Sequence, residues 1–550
     1  MRSSTRIALV ALALLACACT SLVAGLKFDT STLDASRFDT GASGPLRFSE
    51  EEIMRFLDVG SSGLNFGNLP SIDRNLPRGE KFAAMRRAFV KRVEMEAKSA
   101  LLGGGCDPAD FVDSLPGEEG SAEYPYWQFI PAFEGGVTPQ TPLDWSPPTS
   151  GGQAGCFAKN SAMLAPNPNG PEGSYTLTID SSAASSANCS DFYMFATIDG
   201  LSFQTITTAG SLTLPWSLAP NSPPSHLWDL ENKGVRVFRF LGSVWEMLET
   251  IVATALLFEA QLTQGVSTAA ALRNIDFLSK YANVQTMAAR NLSGGVQPFV
   301  PESEIHSGDF FGVMRLDGLD PMLAWAMGST TGHATTALWI GGQLYVCEST
   351  VKAPHWPVNG IQKTPYRTWL AQVNAAGQGA VHAPLSPEAR ASFNETAAVE
   401  FFLAHEGMDY GYHTLLWGWL DTIADNYPCL PPDFETCLNW ETFEVVFGLI
   451  DQFLPETGNL LFNEAFNHRL GTVGLTAADL FQTTVEQGYQ PAELPTIIEQ
   501  DAWLYNMTRY GQVTQGNSQV CCVFVCNVWK AAGVFGNFTD QVQCGELTNW

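Results

Sequence analysis

The feature that most constrains the fold is a pair of adjacent glycines between two β-prone runs. His333–Ile340 and Leu344–Ser349 flank Gly341-Gly342. Two glycines in succession supply the positive φ at both central positions that a two-residue hairpin with right-handed twist demands. With that turn, Ile340 faces Gln343 and Thr335 faces Glu348. Side chains two apart share a face, so His333 lies diagonally across from Glu348, with Cβ atoms roughly 5–8 Å apart. A carboxylate there accepts from one ring nitrogen, fixes the tautomer and leaves the other nitrogen to take a proton. The hairpin alone therefore offers a base and the group that orients it.

A nucleophile has to come from elsewhere. Cys521 opens a predicted helix, Cys521–Ala532, that Gly533 ends. At a helix start the unpaired N–H groups and the positive end of the macrodipole stabilise a thiolate. Cys522, one residue further on, and Cys526, about one turn in, suit burial or a disulfide. A lone strand histidine is ordinarily structural, and a cysteine in an oxidising compartment is ordinarily paired. The face shared with Glu348 and the helix-start position of Cys521 set His333 and Cys521 apart from those readings.

Around this core the chain changes character several times. Residues 26–79 are broken by Gly, Ser and Pro, and an amphipathic helix is predicted over Phe82–Leu101. Between Gly103 and Pro224 the composition favours loops and short strands such as Tyr175–Ile179, Phe203–Thr207 and Ser211–Leu214. Helical spacing is read over Val235–Ala289. A strand is predicted at Phe310–Leu316, and a helix at Pro387–His405, stopped by Gly407. His405-Glu406-Gly407-Met408-Asp409 approaches a zinc-protease pattern, but Asp409 stands where the second His is needed. That segment is read instead as lining the cleft, with Tyr410, Tyr412 and His413 contacting substrate. No metal and no cofactor are called for, and no nucleotide fingerprint or serine elbow occurs.

Residues 1–25 have the basic start, apolar stretch and small residues of a signal peptide. Five sequons, at Asn188, Asn291, Asn394, Asn506 and Asn537, agree with passage through the secretory pathway, extracellular or lysosomal. Of 12 cysteines, Cys17 and Cys19 leave with the signal, and Cys429 with Cys437 forms a local clip in a Pro-rich loop. A formal net charge of −27 repels nucleic acid and anionic membrane. The most apolar internal stretch, Phe240–Leu262, holds Glu246, Glu249 and Glu259, which argues against a membrane span.

The order Gly308-Asp309, Thr331-Gly332-His333, Glu348, Gly407-Met408-Asp409-Tyr410-Gly411-Tyr412 and Cys521-Cys522-Val523-Phe524-Val525 resembles the circularly permuted papain-like proteins. More narrowly it is similar to the YiiX/YaeF type of the NlpC-like superfamily. The resemblance covers about residues 307–535 and implies a Cys521–His333–Glu348 triad. The family commonly has Ser after its Cys, where this chain has Cys522, which makes Cys522 the alternative nucleophile. It implies an α+β fold: a C-terminal catalytic domain, about 301–550, with an antiparallel sheet packed on the Cys521 helix, and an N-terminal accessory region, 26–300. The activity implied is cysteine-dependent hydrolysis of an amide, ester or thioester in a small-molecule, peptide or lipid substrate. An acyltransferase on lipid substrates, or a catalytically inactive secreted glycoprotein with a binding or structural role, is the alternative. The sequence sets no oligomeric state.

Overall fold

The computed structural model describes residues 131–147, 155–171, 173–182, 190–240, 257, 268–281, 300–321, 324, 331–353, 355–417 and 440–546. The signal segment, the helix expected at Phe82–Leu101, Cys429, Cys437, Asn188 and Asn291 lie outside the described residues. The chain divides into two compact units. One combines 29–254 with 430–452, and the other combines 255–429 with 453–550 and the first 28 residues. The segment 430–452 thus groups with the N-terminal part and not with the C-terminal part around it.

The first unit is a sandwich of two four-stranded antiparallel sheets. β1 (Ala132–Val137), β5 (Asp191–Thr197), β6 (Gly200–Ile206) and β8 (Val235–Phe240) form one, in the order β1-β8-β5-β6. β2 (Leu143–Trp145), β3 (Asn160–Pro166), β4 (Ser174–Ser181) and β7 (Gly210–Ser217) form the other, in the order β2-β3-β4-β7. Alternation sets the core: Tyr175, Leu177 and Ile179 of β4 point inward and meet Tyr193, Phe195, Val235 and Val237 in one apolar cluster.

Helical spacing misreads Val235–Phe240, which is a strand with every residue buried. Val235 and Val237 face the sandwich core, while Phe238 on the other face packs with Val445 of the helix Trp440–Phe453. A strand covered on both faces loses the polar alternation that would distinguish it from a buried helix. Its two arginines are neutralised inside the fold. Arg236 bonds Asp229 at 2.5 and 2.6 Å and Glu444 at 2.9 Å, and Arg239 bonds Glu134 at 2.6 Å. Further along, Thr268–Tyr281 is helical as expected.

The second unit is built on a five-stranded antiparallel sheet in which Gly360–Pro365, Gln343–Thr350, His333–Ile340, Phe310–Met314 and Gly379–Ala383 lie side by side in that order. Its strands are β9 (Phe310–Met314), β10 (His333–Ile340), β11 (Gln343–Thr350), β12 (Gly360–Pro365) and β13 (Gly379–Ala383). Gly341 and Gly342 have φ of 60° and 80°, and the register pairs Ile340 with Gln343 and Thr336 with Cys347, as the two-glycine turn requires. Phe311, Val313, Ala337 and Val346 on one face pack against Tyr366, Trp369 and Val373 of the helix Tyr366–Ala375.

Ala334, Thr336, Cys347 and Ser349, which alternate with those residues, are equally buried. The helix Cys521–Ala531 packs across β10 and β11, with Phe402 of the helix Glu395–His405 edge-on to Phe524. Gly533, at φ 78°, follows the helix end as expected.

The single helix expected at Pro387–His405 is two, Pro387–Ser392 and Glu395–His405. Asn394 caps the second by accepting from Ala397 N, and extended Phe393 separates them, fitting against Gly308 where a Cβ would meet its ring at 2.4 Å. A side-chain cap inside a run of good helix formers restarts the helix and does not continue it. Asp309 ties this region together. Its buried carboxylate accepts from His306 N, Leu385 N, His382 and Arg390, so Gly308-Asp309 is an organising element of the sheet edge. A final hairpin, β14 (Tyr505–Arg509) with β15 (Gln512–Gly516), precedes the Cys521 helix.

Candidate active site

Two local causes bring His333 to Glu348. β10 begins at His333, and the glycine turn fixes the β11 register so that Glu348 falls on the same face. His333 Nε2 lies 2.8 Å from Glu348 Oε2. The second carboxylate oxygen, Oε1, accepts from Trp356 Nε1 at 2.8 Å. Glu348 is 1 % exposed and His333 6 %, so the pair is shielded from water. With Nε2 engaged, Nδ1 is the nitrogen left for Cys521, whose side chain is hydrogen-bonded to the ring.

Cys521 is the first residue of its helix, after the extended Val520. The approach to it is pinned on both sides: Gln519 O accepts from Ser349 Oγ at 2.7 Å and from Gly411 N at 3.2 Å, and Ser518 Oγ lies 2.9 Å from Thr414 Oγ1. Gly411 permits the contact, since a Cβ there would meet Gln519 N at 2.2 Å. Cys521, Cys522 and Cys347 are buried thiols, while Cys526 is joined to Cys544.

The electrostatics separate the two adjacent thiols. A hydrogen bond with Cys522, followed by the hydrogen bond and charge of His333, holds Cys521 well below the usual cysteine range despite burial. Cys522 is pushed well above that range by its bond to Cys521 and by burial. Burial pulls His333 down, but Cys521 and Glu348 outweigh it and push the imidazolium up to about 9. Thiolate and imidazolium stabilise one another across the pair.

The sulfur lies at a small recess, partly open to solvent, lined by His333, Cys521, Tyr410, Arg315, Thr350 and Leu415 among others. Burial, then the charges of Cys521 and Cys522, push the Tyr410 hydroxyl well above its ordinary range, so it stays an O–H donor. Of the three residues expected to contact substrate, Tyr410 lines the recess. Tyr412 donates to Asn359 Oδ1 at 3.0 Å, and His413, 2 % exposed, pairs with Glu464 at 3.2 Å and stacks on Tyr505. His405 is turned to Phe401 O at 2.8 Å. Among the described residues no group of His, Cys, Asp or Glu is placed to hold a metal ion.

Asn394, Asn506 and Asn537 are exposed. Three neighbours of the site were not singled out in the sequence: Trp356, Arg315 and Asp320. Each reaches the site through tertiary packing, and no spacing in the chain marks it. No protein-family model, no curated protein and no solved structure matches the chain.

Proposed function

We propose that this chain is a cysteine-dependent acyl hydrolase whose second unit is a circularly permuted papain-like domain of the NlpC-like, YiiX/YaeF type. The observation that carries this reading is the continuous chain of contacts from the Cys521 sulfur through His333 to Glu348 and Trp356. The Cys521 thiolate attacks the carbonyl carbon of an amide, ester or thioester. As the C–S bond forms, the carbonyl oxygen becomes an oxyanion that accepts from the Tyr410 hydroxyl. His333 Nδ1 then gives its proton to the departing nitrogen, oxygen or sulfur as that bond breaks, leaving the acyl group on Cys521. Water loses a proton to His333, attacks the thioester and releases the acid, and the thiolate–imidazolium pair is restored. Glu348 holds the ring and steadies its charge throughout.

Cys521 is the nucleophile in this scheme because it opens the helix and its side chain is hydrogen-bonded to His333. The disulfides at Cys156 and at Cys526–Cys544 support an oxidising compartment and secretory passage. Comparing wild type with Cys521→Ala on amide, ester and thioester panels tests the reading. Turnover by wild type alone supports it, and equal turnover by both proteins overturns it.

A further inference from the structure

Building on the reading of Cys521 as nucleophile, we propose that Arg315 selects the substrate and that the substrate carries a carboxylate close to the scissile carbonyl. Arg315 lines the same recess as Cys521, His333 and Tyr410, and it is the one permanently charged side chain among the described residues there. Its orientation is fixed from behind. Asp320 Oδ1 takes Nε at 3.0 Å and Nη2 at 2.6 Å, Asp320 Oδ2 takes the backbone N of Arg315 at 2.9 Å, and Asp317 lies 3.6 Å from Nε.

Both carboxylates therefore sit on the Nε edge of the guanidinium, and Nη1 has no hydrogen bond to any described residue. Asp320 is fully buried and rests against Gly332, where a Cβ would come within 2.4 Å of it. The residue before the base is thus shaped to admit the group that holds Arg315. A guanidinium held by Asp320, whose Nη1 bonds none of the described residues and which shares a recess with the nucleophile, fits an oxygen anion and gives up little entropy on binding it. Leu319, Val351 and Leu415 supply apolar walls for the rest of the molecule. A peptide or N-acyl amino acid presenting a carboxylate has this chemistry. The nearby Asp317 charge keeps the preference moderate.

Iodoacetate and iodoacetamide, which differ in one carboxylate, probe this directly. Their alkylation rates at Cys521 are measured by peptide mapping of the full chain, in wild type, Arg315→Lys, Arg315→Met and the charge-balanced double variant Arg315→Met with Asp320→Asn. Glutathione serves as the solvent reference, and thermal unfolding checks each fold. The iodoacetate-to-iodoacetamide ratio in wild type is expected to exceed that of the folded Met variants by about tenfold, with Lys between. Comparing variants removes the shared attraction of His333. Fast reaction of Cys521 with both reagents, at a ratio equal in wild type and variants, overturns the role of Arg315 and leaves the nucleophile standing. Failure of Cys521 to react with either reagent overturns the nucleophile, and this assignment with it.

Discussion

Both oxygens of Glu348 are occupied, one by His333 and one by Trp356, so small changes at this carboxylate have separable effects. Glu348→Gln preserves volume but replaces the acceptor facing Nε2 with an amide that can present N–H. Turnover is expected to fall by roughly 10²–10⁴-fold, and because the buried imidazolium loses its charged partner the thermal midpoint is expected to fall as well, as paired kinetics and calorimetry will show. Trp356→Phe keeps an aromatic side chain, smaller than the indole, and removes the donor to Oε1. It is expected to cost about 1–3 kcal/mol in stability for the buried acceptor left behind, read by denaturant titration. The pH profile follows from two opposite shifts. In the proposed scheme Cys521 must be ionised, so activity is expected to rise as pH climbs through its lowered pKa. His333 must carry the proton for the leaving group, so activity falls as pH passes about 9. A bell-shaped kcat/KM profile whose acid limb moves upward in the Glu348→Gln variant fits this scheme. His333 and Glu348 were legible in the sequence because hairpin register is local chemistry. Trp356, Arg315 and Asp320 were not, because side chains brought together by tertiary packing leave no periodic signal.

Among the secondary-structure elements, glycines decide how closely segments approach the site. Gly411 lets the loop carrying Tyr410 lie against the chain entering the Cys521 helix, with only 2.2 Å available for a Cβ. Gly411→Ala is expected to move that loop, lower turnover and destabilise by about 1–3 kcal/mol, checked by kinetics alongside urea unfolding. The β9–β10–β11 strands and the Cys521 helix were readable, since a glycine turn, β-branched runs and a terminating Gly533 each act within a few residues. Val235–Phe240 was not. Helix Trp440–Phe453 covers one face of β8 and the sandwich core the other, and that double covering, set by a segment some 200 residues away, erased the alternation. The break at Phe393 was missed for a different reason. Asn394 is a residue tolerated within helices, and only its capping bond to Ala397 N shows that a new helix starts there.

Over the whole molecule, two units are stabilised by different means. In the sandwich, Arg236 is 1 % exposed and shared between Asp229 and Glu444. Removing one member strands a buried charge, so Arg236→Leu is expected to cost about 3–5 kcal/mol, measured by chemical unfolding of the full chain. In the second unit, the Cys526–Cys544 link spans 18 residues and ties the segment after the Cys521 helix back onto it.

The central claim is that Cys521 is an activated thiolate paired with His333, and its most direct measurement is the pH dependence of alkylation at Cys521. Peptide mapping after brief iodoacetamide treatment of folded, unreduced protein gives that rate for wild type and for His333→Ala. The pair predicts that wild-type Cys521 reacts ahead of Cys522 and Cys347, with a midpoint well below the thiol range of about 8.5, and that the midpoint returns upward in His333→Ala. A Cys521 held in a disulfide, or one with the same midpoint in both proteins, would contradict it.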